Sequence, residues 1–300
     1  MRVATFNVQN LRLRDDPNGA HFDGARDEIK PLSKLSAKER AEDGRDRLLT
    51  ARLMADANAD VIALQEVFDQ RTLDAFHDQH LAPLGCHYPY RVCVPGNDGQ
   101  RHVAFMSRTP LAEVTSHAAL TYADIELEPP AGVCSSDRVF RRDCLIAITH
   151  GVLLLNVHFK APVDAESLAV VQFEAQAVRK IIERRFANSA AAAWLVLGDV
   201  NVNDVTGVDA IGALTDGFAS DLALQRPAAD RWTYFHAGYG SYARPDRMLA
   251  SPALAQQCRS FEVRREGMSI AADTGKRLAG VGEVRPRASD HAMLLATLKI

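Results

Sequence analysis

Apolar residues gather along this chain in short runs that end on a polar group, as in strands buried on both faces with one end opening to solvent. Residues 2–8, with Val3, Thr5, Phe6 and Val8, predict a first strand ending near Asn7. Residues 60–67, Asp60-Val61-Ile62-Ala63-Leu64-Gln65-Glu66-Val67, predict a second that closes on a carboxylate. Further strands are expected at 103–107, at 144–149 and 152–159 around a tight His150-Gly151 turn, and at 246–250, 261–264 and 293–300. The strongest run, Trp194-Leu195-Val196-Leu197, passes into Gly198-Asp199-Val200-Asn201. Residues two apart on an extended backbone point the same way, so Asp199 and Asn201 are expected on one face. Gly198 would let a neighbouring strand approach the backbone closely.

Helical spacing recurs between the strands. Residues 45–57 place Leu49 and Leu53 four apart, and 72–80 place Leu73 and Phe76 on one side. Residues 166–186 carry the longest stripe, Leu168, Val171, Ala175, Val178 and Ile182. A small helix is expected at 208–214. Residues 15–43 are charged and turn-forming, with Pro17, Gly19, Gly24 and Pro31 and a short helix near 36–42. Such a stretch is too long for an ordinary connection and offers few apolar anchors, so it is expected to lie over a cleft and gate it. Candidate polar groups run from residue 7 to residue 291 with no repeat, low-complexity tract or linker between them. The chain therefore reads as a single α/β (α+β) domain over 1–300.

Composition narrows the function classes. Hydrophobic content of 47% and charged content of 24% are those of an ordinary globular protein. A net charge of −3 excludes a polycation, so any nucleic-acid contact needs a local basic patch. The cysteines, Cys86, Cys93, Cys134, Cys144 and Cys258, are scattered and odd in number, and lack metal-binding spacing. Reduced thiols and a cytoplasmic location are expected, with no signal peptide, no membrane partner and no obligate protein partner.

Asn7, Glu66, His158, Asp199, Asn201, Asp246 and the pair Asp290-His291 each stand at or near the end of an apolar run. Singly each has a dull explanation: a turn cap, the first solvated residue, a local ion pair. Together, Thr5-Phe6-Asn7-Val8-Gln9-Asn10, Leu64-Gln65-Glu66-Val67, Asn156-Val157-His158, Gly198-Asp199-Val200-Asn201, Arg244-Pro245-Asp246 and Ser289-Asp290-His291 resemble, in order, the motifs of the endonuclease/exonuclease/phosphatase family. The resemblance runs end to end. It implies a four-layer αββα sandwich of two packed mixed β-sheets, with hydrolysis of phosphoesters assisted by Mg²⁺ or Mn²⁺ at one end of the sheets.

On that resemblance Glu66 with the amide oxygen of Asn7, and Asp290, would ligate the metal, since hard cations take oxygen donors. Asp199 would orient or deprotonate the attacking water, with Asn201 donating to the water or the phosphate. His291, set by Asp246, and His158 would donate to phosphate oxygens. Asn10, Arg142 and Lys160 are the candidate substrate contacts. Two departures from bacterial relatives bear on substrate contacts: Phe173 stands where an arginine is expected in the helix after the His motif, and His102 replaces a small or acidic residue. Family members cut nucleic acids or dephosphorylate inositol phosphates or sphingomyelin, and His158 argues against abasic-site repair. DNA or RNA is the expected substrate, with Arg12, Arg14, Arg101, Arg108, Arg138, Arg141, Arg142, Lys160, Arg244, Arg247, Arg285 and Arg287 either forming a basic rim or lying scattered as solvated surface. The alternatives are a small phosphoester such as an inositol phosphate or sphingomyelin, or a non-catalytic binding protein on the same fold.

Overall fold

The strands carry side chains that alternate between two destinations, and that alternation builds the molecule. A computed structural model describes residues 1–17, 19–203, 209–272 and 275–300. In chain order the strands are β1 (Arg2–Leu11), β2 (Leu13–Arg14), β3 (His21–Phe22), β4 (Val61–Val67), β5 (Tyr90–Cys93), β6 (His102–Ser107), β7 (Ala112–Ser116), β8 (Cys144–Thr149), β9 (Val152–His158), β10 (Trp194–Asp199), β11 (Ser220–Asp221), β12 (Tyr234–His236), β13 (Ser241–Ala243), β14 (Asp246–Ala250), β15 (Cys258–Arg264) and β16 (Met293–Leu298). One six-stranded sheet runs β15-β16-β1-β4-β6-β5 and the other β11-β14-β10-β9-β8-β7. Val61 and Ala63 of β4, Val103 and Phe105 of β6, and Leu195 and Leu197 of β10 meet in one core between the sheets. The intervening residues face outward: Ile62 and Leu64 pack with Leu49, Leu53 and Met54 of helix α1 (Ala37–Ala57). Trp194 and Val196 pack with Val171, Ala175, Val178 and Ile182 of a second long helix, Ala165–Arg185. Period-two strands buried on both faces thus give the helix-sheet-sheet-helix layering that the motifs implied.

Helix boundaries differ from the sequence reading in one instructive place. The expected pieces near 36–42 and 45–57 are a single helix, started by a Ser36/Glu39 capping box and carried through Gly44 by burial of its inner face. The excursion therefore ends at about residue 36, and it is well anchored rather than poor in contacts. Phe22, Ala25 and Leu35 are buried. Arg47, buried on α1, donates to the carbonyls of Val8, Gln9, Asn10, Asp23 and Gly24. Arg285 binds Asp43 and Asp46, Arg26 binds Asp43, and Arg14 binds Asp23. These polar anchors stabilise the loop without an apolar signature. The expected short helix of 72–80 is α2 (Gln70–Phe76) continued by a π-helical turn, His77–Leu81. The helix expected at 208–214 falls partly outside the described residues; its described part is a single turn, Gly212–Thr215. The edge strands β5 and β7 escaped the pattern because their partly exposed side chains break the apolar runs.

The sheets are tied together by a polar bridge in this apolar interior. Gln65 of β4 donates to Asn156 Oδ1 of β9 at 2.7 Å, and Asn156 Nδ2 donates to the carbonyls of Leu64 and Ala104. All these groups are buried, so a slip of one sheet on the other would strand several unpaired polar groups. The bridge lies one residue before Glu66 and two before His158, which couples sheet registry to the end where polar side chains collect.

Candidate active site

Strand direction decides which chain segments meet. β1 and β4 are parallel with Asn7 beside Gln65, and β9 and β10 are parallel with His158 beside Asp199. β14 runs antiparallel to β10 and opens with Asp246 beside Asp199. β16 runs antiparallel to β1, so the residues just before it, Ser289-Asp290-His291, arrive at the same end. One edge of the sandwich therefore receives Asn7, Glu66, His158, Asp199, Asp246, Asp290 and His291 from six separate segments.

Local backbone irregularities aim them. β1 and β4 each change register beside the site, β1 between Asn7 and Leu11 and β4, against β6, between Gln65 and Val67. Gln9, Asn10, Glu66 and Asn201 all have left-handed backbones, with φ of 46°, 55°, 67° and 57°. Such conformations cost energy in non-glycine residues and persist where surroundings hold them. The holder for Gln9 and Asn10 is Arg47, whose guanidinium collects the carbonyls of both. Gly198 is glycine for a different reason. Its φ is +139°, and a Cβ there would lie 2.0 Å from the Val157 carbonyl oxygen of β9, which confirms the close approach expected at this position.

The carboxylates and imidazoles form a connected set. Asn7 Nδ2 donates to Asp199 Oδ2 at 3.0 Å and to Glu66 Oε1 at 3.3 Å. Glu66 Oε2 accepts from the Asn10 backbone at 2.9 Å. Asp199 Oδ1 accepts from the Asn201 backbone at 2.8 Å, and His158 Nε2 and His291 Nε2 lie 3.6 and 3.9 Å from Asp199 Oδ2. His291 Nδ1 stands 2.9 Å from Asp246 Oδ2, which also accepts from Thr233 Oγ1 at 2.6 Å. Asp290 Oδ2 accepts from Gln9 Nε2 at 2.9 Å. Ser289 Oγ donates to the Asn7 carbonyl and accepts from the His291 backbone, fastening the last motif to the first.

Burial and neighbours set unlike charge states. Burial pushes His158 well below its usual range, and Arg142, His291 and Arg101 push it further, so it is neutral. Burial pushes His291 down too, but Asp246, Asp199 and Asp290 outweigh it and hold the imidazole well above its usual value, hence protonated. Burial raises Asp199; the positive His291 and the Asn7 and Asn201 hydrogen bonds oppose the rise, and Asp246 adds to it. Burial also raises Glu66, with Arg101 opposing and Asp290 reinforcing. A buried carboxylate thus lies between a neutral imidazole and an imidazolium. The arrangement places a proton acceptor and a hydrogen-bond donor side by side.

The donor set fits a hard divalent cation. Glu66, Asp199, Asp246 and Asp290 converge with His291 and Arg101 as nearby positive charge, and Asp246 Oδ1 is buried without a hydrogen-bond partner. Asp199, Asp246 and His291 bring polar side-chain atoms within 4.8 Å of one another, and since the His291 imidazolium has no free lone pair, the carboxylates are the donors. A second acidic group, His21, Asp23 and Asp43, also comes together, but Arg14, Arg26 and Arg285 already neutralise it.

Several candidate site residues make contacts other than those expected of them. The Asn7 oxygen, expected on the metal, accepts from the Gln9 backbone at 3.0 Å, and its amide nitrogen faces the carboxylates instead. Asn201 does not share a strand face with Asp199, because β10 ends at Asp199 and Asn201 turns left-handed; its Nδ2 donates to the Phe159 carbonyl at 2.9 Å. Asn10, expected on the substrate, spends its side chain on Arg101 and the Arg26 carbonyl. Arg142 is buried beside His158 but binds the Phe159 carbonyl and Asp98. Lys160 lies just past β9, half-buried. Of the expected basic rim, Arg101 reaches the site through Asn10, and Arg287 donates to Gln9 and lies 4.0 Å from Asp290. Arg108 caps Tyr88 beyond the far end of β6. Phe173 packs edge-on against Tyr122, and His102 Nδ1 accepts from the Gly96 backbone. Sequence reasoning missed Thr233, Gln9 and Tyr234, whose ring lies 4.9 Å from that of His291. The aromatic run around Thr233 hinted at Thr233 and Tyr234, and Gln9 stood inside the first motif without a role assigned to it.

The sequence profile described as the Endonuclease/Exonuclease/phosphatase family matches residues 4–291. No curated protein sequence matches the chain significantly. Solved structures with the same fold include a 3'-5' exonuclease from Neisseria meningitidis, 19% identical over 100% of both chains, with a TM-score of 0.62. An AP endonuclease from Archaeoglobus fulgidus is 16% identical over 100% of both chains, with a TM-score of 0.61. A truncated TDP2 from Caenorhabditis elegans is 16% identical over 100% of this chain and 97% of its own, with a TM-score of 0.57.

Proposed function

The chain belongs to the endonuclease/exonuclease/phosphatase family, and we propose that it is a divalent-metal-dependent phosphodiesterase acting on DNA or RNA. The observation that carries this reading is the buried Asp199 carboxylate between neutral His158 and the Asp246-bound His291 imidazolium. Asp199 accepts the proton of an attacking water. The imidazolium of His291, oriented by Asp246 and Thr233, donates to a non-bridging phosphate oxygen, where charge builds as the water attacks. Glu66 and Asp290 would hold Mg²⁺ or Mn²⁺, and the bound ion would withdraw charge from phosphate oxygens. Glu66, Asp199 and His291 are all present, which argues against a non-catalytic protein on the same fold.

Nucleic acid is favoured as the substrate by the β12–β13 hairpin. It rises beside His291 through Tyr234, and Tyr239 at its turn, 82% exposed, packs on the ring of His236. Aromatic faces beside a phosphate site suit stacking of unpaired bases. No helix among the described residues is long and apolar enough to cross a membrane. The test sets purified protein with Mg²⁺ or Mn²⁺ against plasmid, single-stranded DNA, RNA, inositol phosphates and sphingomyelin vesicles, with Asp199→Asn and His291→Ala controls. Cleavage of a nucleic acid that weakens as salt rises is expected. Turnover confined to the inositol phosphates or the lipid would refute the nuclease reading and leave the phosphoesterase site standing.

A further inference from the structure

Glu174 has no place in the site described above, yet it is a fully buried carboxylate on the helix Ala165–Arg185. Among the described residues, its hydrogen-bond partners are both backbone groups. Oε1 accepts from the Arg141 N–H and Oε2 from the Lys160 N–H, each at 2.8 Å. The position of those two N–H groups is telling. β8 and β9 pair Cys144 with Val157, and continuing that register outward sets Asp143 opposite His158, Arg142 opposite Phe159 and Arg141 opposite Lys160. Beyond the last paired residues the two chains open like a fork, and the carboxylate of Glu174 sits between the prongs.

Inside the fork, one carbonyl collects the catalytic neighbourhood. Phe159 O accepts from Arg142 Nη1 and from Asn201 Nδ2, and the Phe159 N–H donates to the Asp199 carbonyl at 2.9 Å. His158 precedes it, and Arg142 stands close enough to depress the His158 imidazole. We propose that Glu174 is a positioning residue for the reaction: its carboxylate clamps the prongs carrying Arg142 and Phe159, and so holds His158 against Asp199. The ionised carboxylate offers both oxygens as strong acceptors to the two backbone donors, and protonation turns one of them into an O–H and weakens its hold, so the clamp is strongest when the carboxyl group is ionised.

That dependence makes the clamp sensitive to pH near neutrality. Burial pushes Glu174 up to about 7, opposed by the Arg141 and Lys160 backbone bonds and by the Arg142 and Arg141 charges. Tyr122, from the turn packed on the helix, also faces it. Below a pH of about 7 one of the two acceptors becomes an O–H, and one prong is held more weakly.

The inference rests on the phosphodiesterase reading for its kinetic arm only. In labelled wild-type protein, the amide protons of Arg141 and Lys160 and the ring nitrogens of His158 are followed by NMR from about pH 5.5 to 8.5. A shared midpoint near neutrality is expected for all three. Amide signals flat across that range, or a His158 ring that does not follow them, would overturn the proposal whether or not any substrate is turned over. Glu174→Gln keeps the shape and one acceptor but turns an amide NH₂ toward the second N–H. It should lower kcat on bis(p-nitrophenyl) phosphate by about tenfold at alkaline pH with little change in KM, as misplacement of a catalytic group does. It should also shift the His158 ring signals and erase the loss of activity below neutrality. Wild-type kcat with an unaltered acid limb would overturn the clamp. Absence of phosphodiesterase activity in the wild type would count against the functional reading alone, and the NMR titration would still decide the clamp.

Discussion

Asp246→Asn separates charge from geometry at the centre of the site. In the wild-type protein Asp246 Oδ2 takes both the His291 Nδ1 contact, at 2.9 Å, and the Thr233 hydroxyl, at 2.6 Å, while Oδ1 is buried without a partner. Asparagine can place its oxygen at the Oδ2 position and its NH₂ where Oδ1 stood, so both hydrogen bonds survive and the negative charge is lost. The difference between a charged and a neutral acceptor at a buried hydrogen bond is about 1–2 kcal/mol. One factor of ten in rate corresponds to about 1.4 kcal/mol, so kcat/KM should fall by about 10- to 30-fold with the melting temperature little altered. His291→Ala removes the donor itself and should cost about 100-fold or more. The informative variant is the pair: once His291 is gone, Asp246 has nothing to charge or orient. The double mutant should therefore match His291→Ala to within about 0.5 kcal/mol, the scatter of independent sites. Steady-state kinetics on bis(p-nitrophenyl) phosphate at saturating metal measures all four corners of the cycle. Multiplicative losses would show that Asp246 acts on the reaction independently of His291 and would refute the dyad.

Three further outcomes follow from other parts of the molecule. Glu66→Gln should weaken Mg²⁺ or Mn²⁺ binding, read by calorimetry, with circular dichroism unchanged; undiminished hydrolysis in excess chelator would exclude the metal role altogether. Gly198→Ala drives a methyl group to 2.0 Å from the Val157 carbonyl oxygen at a φ of +139°, and should cost more than about 4 kcal/mol or abolish soluble folding, measured by urea denaturation. Burial raises Asp143 to about 6 despite its Ser116 and His117 hydrogen bonds. Since that is above its unfolded value, the native state binds the extra proton, and this group's contribution to stability is greatest below about pH 4 and declines as pH rises through about 6. Asp143→Asn should flatten that part of the stability–pH curve by roughly 2–3 kcal/mol; parallel curves for the two proteins would contradict the assignment.

Much of the frame was legible because burial leaves a one-dimensional trace. Strands enclosed on both faces must be apolar along their length, so 61–67, 144–149, 152–159 and 194–199 stood out, and with them the polar groups at their ends. The helix Ala165–Arg185 declared itself by its stripe, yet Glu174 on the same helix gave no sign of being buried. Periodicity reports the average environment of a face and says nothing of a carboxylate whose partners are backbone N–H groups far along the chain. The same holds for Arg47, whose acceptors are carbonyls contributed by Val8, Gln9, Asn10, Asp23 and Gly24, and for the Gln65–Asn156 bridge between sheets.

The site divides along the same line. The resemblance of the ordered motifs to a known family marked Glu66, Asp199 and His291 as chemistry, where each alone had a duller explanation. Their pairing belonged to the tertiary structure. An extended backbone would have put Asn201 beside Asp199, but the left-handed turn after β10 sends its amide to Phe159 instead. Asn7 would have offered its oxygen outward, but the Gln9 N–H holds that oxygen and leaves the NH₂ between two carboxylates. Residue type sets what a side chain can donate or accept. Which capacity remains free is settled only when every neighbouring donor and acceptor has taken its share, and those neighbours arrive from six segments of the chain.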